Sequence, residues 1–148
     1  MPGAVTVFFD LHPVEMPSDL PGWLAAGADF DEWKTPELEA ELAAVCPVSD
    51  TVVFEAPLGR RHRGSGSYID FLVFIELPLE IALARFVRRE LSADPSTLIP
   101  YIEAYEPLAR DVYLEQLRQV MPDADLIVDG RQPVDVSVSL ILEALPTS

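Results

Sequence analysis

Four short, almost purely apolar runs most constrain what this chain can fold into. They are AVTVFFD from Ala4, TVVFEAP from Thr51, IDFLVFIELP from Ile69 and ADLIVDG from Ala124. Each is too short for a buried helix and rich in β-branched and aromatic residues, so each reads as a strand. The third is nearly continuously apolar, the pattern of a strand covered on both faces.

Helical patterns separate the strands. Thr35 and Pro36 read as an N-cap and first helical position, with Leu38, Leu42 and Val45 on one face. Leu79 to Leu91 carries the stripe Leu79, Leu83, Phe86 and Val87. Leu98 to Val120 continues the period through Ile102, Tyr105, Ala109 and Val112, with a bend or break expected where Pro107 removes a donor. A last helix starts at Pro133 and turns Val134, Val138, Ile141 and Leu145 inward. Three prolines and a glycine within Pro13–Gly22 predict a long irregular surface loop. Strands alternating with helices imply an α/β fold, a parallel sheet with helices on both faces, built as a single domain over 1–148.

Charge narrows the partners. With 25 Asp and Glu against 10 Lys and Arg, the chain carries −15, which argues against nucleic-acid polymers and anionic membranes. A hydrophobic content of 49% argues against disorder, and no apolar run reaches membrane-spanning length. The basic flank and cleavage site of a signal peptide are missing from MPGAVTVFFD, so a cytoplasmic location is expected. Cys46, alone among apolar neighbours, reads as an inert thiol. Against this acidic background, Arg60, Arg61, His62 and Arg63 stand consecutively in GRRHRG. In parallel α/β sheets ligands bind beyond the carboxyl ends of the strands, which gathers Asp10, the Glu55–Gly64 segment and the turn after Glu76. The arginine loop reads either as an anion-holding loop at that edge or as a solvated tip.

Several segments together resemble the uridine kinase-like P-loop kinases. FLVFIELPLEIALARFVRRE is similar to that family's strand, proline and arginine-bearing helix. YIEAYEPLARDVY is similar to its tyrosine-to-proline helix, and MPDADLIVDGRQPVDVSVSLIL to its last strand and helix. TVFFDLHP and ADFDEWKTPELEAEL resemble its strand ending in aspartate and its acceptor-contacting segment. The family's G-x-x-x-x-G-K-[ST] phosphate loop has no counterpart: the single lysine, Lys34, lies in DEWKTP. The resemblance thus implies a three-layer P-loop-kinase-like fold without its first strand and phosphate loop, and with a shortened lid at about 92–97. Shortening at the N-terminus, direct pairing of the flanking strands, or a second subunit in a homodimer would each account for that.

What the resemblance implies about roles is specific. Asp10 matches the general base that takes the acceptor hydroxyl's proton, although a loop or helix cap is a common use of an aspartate after a strand. Asp31 would meet a sugar hydroxyl, or merely cap. Arg60, Arg61, His62 and Arg63 would face a small anionic or nucleoside-like acceptor. Glu55 matches a magnesium-linked carboxylate, or a satisfied strand-end acid. Arg85 and Arg89 would grip phosphates, and Asp129 and Arg131 would lie beside adenine. ATP and Mg are the implied cofactors. Two functions follow as expectations: a phosphotransferase weakened by the missing loop, or a non-catalytic binding or dimerising module that keeps the acceptor side.

Overall fold

The computed structural model describes residues 3–94, 96 and 98–146. They form a mixed α/β chain that divides into two compact units, Met1–Leu72 and Val73–Ser148.

In the first unit, β1 (Val5–Phe8) and β2 (Val52–Glu55) pair in parallel, with Val5 opposite Val52 and Phe8 opposite Glu55. Between them lie α1 (Leu20–Ala25) and α2 (Pro36–Val45), and α3 (Arg63–Gly66) follows β2. Thr35 and Pro36 start α2 where expected, and Leu38 and Leu42 are fully buried. The proline-rich stretch does not stay irregular, as its proline count suggested. Asp19 accepts from the Gly22 amide and Pro21 occupies the first turn, where its missing N–H costs nothing, so α1 begins inside it. Trp23, Phe30 and Trp33 pack with ring centroids 5.5–6.4 Å apart, and all three are buried. The Trp23 indole N–H donates to Asp29 O at 2.9 Å, whereas the buried Trp33 indole N–H has no acceptor.

The second unit contains β3 (Val73–Glu76) and β4 (Leu126–Asp129), again parallel, with Glu76 opposite Asp129. Its helices are α4 (Leu79–Ala93), α5 (Leu98–Ala104), α6 (Arg110–Gln119) and α7 (Val134–Ala144). The break expected at Pro107 is a π-turn, Tyr105–Ala109, joining α5 to α6. Such a turn takes up one extra residue and relieves the lost hydrogen bond.

Two expectations give way. The strands form two two-stranded ladders rather than one sheet, and they are not covered on both faces: Phe8, Val53, Ile75 and Ile127 are exposed. Strand-like composition reports the strand itself but not what lies on each face. Likewise α7 does not turn Val134 and Val138 inward; they are 78% and 46% exposed, while Ile141 and Leu145 are half-buried. No helix among the described residues is long and apolar enough to cross a membrane.

Candidate functional site

The carboxyl ends of the two ladders carry most of the residues nominated from sequence. At the first, β1 runs into a 3₁₀ turn, Phe9–Leu11, that holds Asp10 exposed beside the end of β2. Burial first, then the charge of Asp10, pushes the Glu55 carboxyl above its ordinary value. A cation bound near two neighbouring carboxylates relieves their mutual repulsion. Among the described residues, no group of three or more His, Cys, Asp or Glu is placed to hold a metal ion. Magnesium is commonly held by one or two carboxylates plus substrate phosphates, so this pair fits it only in company with a phosphate ligand.

The arginine loop is explained largely from within. Arg60 donates from Nε to Ile69 O (3.2 Å) and from Nη2 to Asp70 O (2.9 Å). His62 is buried: its Nε2 donates to Trp33 O (3.1 Å), which fixes the hydrogen there, and its Nδ1 accepts from the Ser65 amide (3.2 Å) and lies 2.8 Å from Ser65 Oγ. Both ring nitrogens are thereby occupied. Arg63 donates its amide to Asp31 Oδ1 (2.7 Å) and its guanidinium Nε to Oδ2. Burial alone would push the Asp31 carboxyl up; the Arg63 amide, guanidinium and charge together hold it below its ordinary value. Two residues nominated to meet the acceptor, Asp31 and Arg63, thus meet each other, and Arg61 sits in the adjoining 3₁₀ turn, Gly59–Arg61.

At the second ladder, Glu76, Pro78, Asp129 and Arg131 line a cavity of about 300 Å³. The Gly130 amide donates to Glu76 O at 2.8 Å, and a Cβ at Gly130 would stand 3.0 Å from Ile75 Cγ2, so this crossing is tight. Arg131 grips Asp129 with Nε (2.9 and 3.1 Å), Nη2 (2.7 Å) and its amide (2.9 Å). The guanidinium bonds, then the amide, hold the Asp129 carboxyl down to about 2. Arg85 reaches from α4 to Gly130 O at 2.8 Å. Arg89, by contrast, lies over the Phe86 ring at 5.5 Å and donates to Glu90 at 3.1 Å. The expected lid at 92–97 falls partly outside the described residues, at 95 and 97. Cys46 is half-buried, and burial, then Asp70, pushes its thiol up, as suits an inert cysteine.

Sequence reasoning overlooked an aromatic cluster on the helices: Phe86, Tyr101, Tyr105 and Tyr113. Its sequence signal is Tyr101 four residues before Tyr105, ahead of a proline that breaks the helix. Neither a protein-family model nor a curated protein matches this chain.

Proposed function

We propose that the chain is a binding module for a small nucleoside-like molecule, held beyond the carboxyl ends of β3 and β4. The observation that carries this reading is the charge of the 300 Å³ cavity, where two carboxylates, Glu76 and Asp129, face one guanidinium, Arg131. Carboxylates accept hydrogen bonds from sugar hydroxyls and repel phosphates, which favours a neutral, hydroxyl-rich ligand. The triphosphate of ATP does not fit as well. The sequence offers no lysine-bearing glycine loop, and Arg60, Arg63 and Arg131 are committed to carbonyls and carboxylates of the chain.

The pairing of Asp10 with Glu55 favours a second reading, a phosphotransferase in which Asp10 takes the acceptor's proton. Calorimetric titration with uridine and, separately, with MgATP distinguishes the two. The binding module takes up uridine with a Kd tighter than about 1 mM, gives no heat with MgATP, and keeps its affinity in Asp10→Asn. MgATP binding together with uridine phosphorylation that Asp10→Asn abolishes supports the phosphotransferase. A folded chain silent toward both ligands overturns both.

A further inference from the structure

A second cavity, of about 220 Å³ and open on one side, lies among the helices of the second unit. Leu79, Ala82, Leu83 and Phe86 of α4 line it together with Tyr101, Tyr105 and Tyr113. We propose that it binds a small, neutral aromatic molecule carrying a hydroxyl group, of the phenol class. The proposal is independent of the strand-end reading.

Size sets the first bound. An apolar protein cavity of about 150 Å³ accepts benzene, so this one takes a single ring with a substituent. The walls set the second. Phe86 and Tyr101 pack on each other at 4.0 Å and 31°, and Tyr101–Tyr105 and Tyr105–Tyr113 stand at 6.1 and 6.2 Å, so the rings border the space with their outer faces and edges rather than enclosing it between them. An entering ring gains offset and edge contacts with them.

Polarity selects the substituent. The Tyr101 and Tyr113 hydroxyls are 3.1 Å apart. One donates to the other, which leaves the acceptor's own hydrogen and further lone pairs for a ligand hydroxyl to complete. Charge excludes the alternatives. The lining is uncharged, so a buried ion would lose hydration without repayment. A cation is further opposed by the Arg89 guanidinium, which already lies on the Phe86 ring. Burial and the Tyr113 hydrogen bond push the Tyr101 hydroxyl up, which keeps its proton in place.

The π-turn is what makes the site. In a straight helix, residues twelve apart sit about 18 Å apart along the axis and about 120° apart around it. The turn at Tyr105–Ala109 takes up one residue, which lowers the angular offset to about 20° and brings both tyrosines to one side, and their hydroxyl contact at 3.1 Å further requires the helix axis to bend there. Mid-helix turns of this kind recur at functional sites.

The test is a titration of the full chain with phenol, and separately with benzene, each to about 10 mM, followed by backbone amide shifts. Saturable phenol shifts confined to α4, α5 and α6 are expected, with benzene about three- to tenfold weaker. The double variant Tyr101→Phe with Tyr113→Phe removes only the two hydroxyl oxygens. It should bring phenol down to the benzene level and leave benzene unchanged. Ala82→Phe, which fills the cavity, should abolish both, with circular dichroism confirming the fold. A folded wild-type chain without saturable phenol shifts overturns the site. Equal affinities for phenol and benzene, unmoved by the double variant, overturn its hydroxyl selectivity.

Discussion

Trp23 and Trp33 are both buried tryptophans of one cluster, yet only Trp23 has an acceptor for its indole N–H, Asp29 O. Trp23→Phe therefore removes one of the two donors to Asp29 O, which keeps the Glu32 amide at 3.1 Å, whereas Trp33→Phe removes an unpaired buried donor. A lost hydrogen bond costs about 1 kcal/mol. Urea denaturation should accordingly show Trp23→Phe to be the more destabilising by about 1 kcal/mol; the reverse order would mean that lost ring volume dominates. His62→Ala belongs beside them. It deprives Trp33 O and the Ser65 amide of their partners at once and is expected to cost about 1–3 kcal/mol. Asp31 adds a pH effect. Its folded pKa is depressed, so its contribution is present above the ordinary carboxylate value, about 4, and is lost as pH falls through the folded value. Asp31→Asn should lower stability at neutral pH and flatten the acid limb of the stability curve; an acid limb identical to wild type would show the Arg63 pair to be energetically silent.

At the scale of elements, the loop that begins at Gly59 and ends in α3 shows why glycine is required there. A Cβ on Gly66 would stand 2.7 Å from Arg60 Cα and 2.8 Å from Gly59 O, both backbone atoms that cannot swing aside. Gly66→Ala should therefore cost about 1–3 kcal/mol in thermal or urea unfolding, and a neutral result would mean that α3 shifts freely. The four strands were legible because each is a local run, and α2 because its cap and proline are local too. The Pro107 break was legible for the same reason, although its form as a π-turn was not. Other features depend on partners distant in sequence. Asp31 and Arg63 are 32 positions apart, and no pattern within GRRHRG announces that its arginines close on the chain's own carbonyls and carboxylate. The strand-end positions of Asp10, Glu55 and Asp129 could be anticipated from the parallel-sheet rule, but the grip of Arg131 on Asp129 could not. The failure at α7 is of the same kind. Its periodicity marks one apolar side, but periodicity cannot say whether anything lies against it.

For the molecule as a whole, charge and core size pull in one direction. The chain carries 25 acids against 10 Lys and Arg, so ion pairs such as Arg63–Asp31 and Arg118–Glu115 leave most carboxylates to repel one another. Among the described residues, the second unit's deeply buried apolar side chains are Val120 and Val128, while the first unit buries Val7, Trp23, Phe30, Leu38, Leu42 and Leu58. Hydrogen exchange should accordingly be slowest in β1 and α2 and faster throughout α4 to α6. Compact acidic chains are strained by self-repulsion, and salt relieves it. Raising NaCl from about 0.01 M to about 0.15 M shortens the screening length from about 30 Å to about 8 Å and should raise Tm. Exposed apolar residues on both sides of α7, Val134, Val138 and Leu142 on one and Val136 and Leu140 on the other, supply a competing cause, since salt also lets acidic chains associate through such residues. Protein concentration separates the two. A Tm that rises with salt equally in dilute and concentrated samples reflects screening within one chain. A rise that grows with protein concentration and is abolished by Val136→Glu and Leu140→Glu marks a homodimer formed through α7, because association stabilises by mass action. A Tm indifferent to salt would show that the net charge costs the fold nothing, and slow exchange in α4 to α6 under those conditions would place stability in the second unit instead.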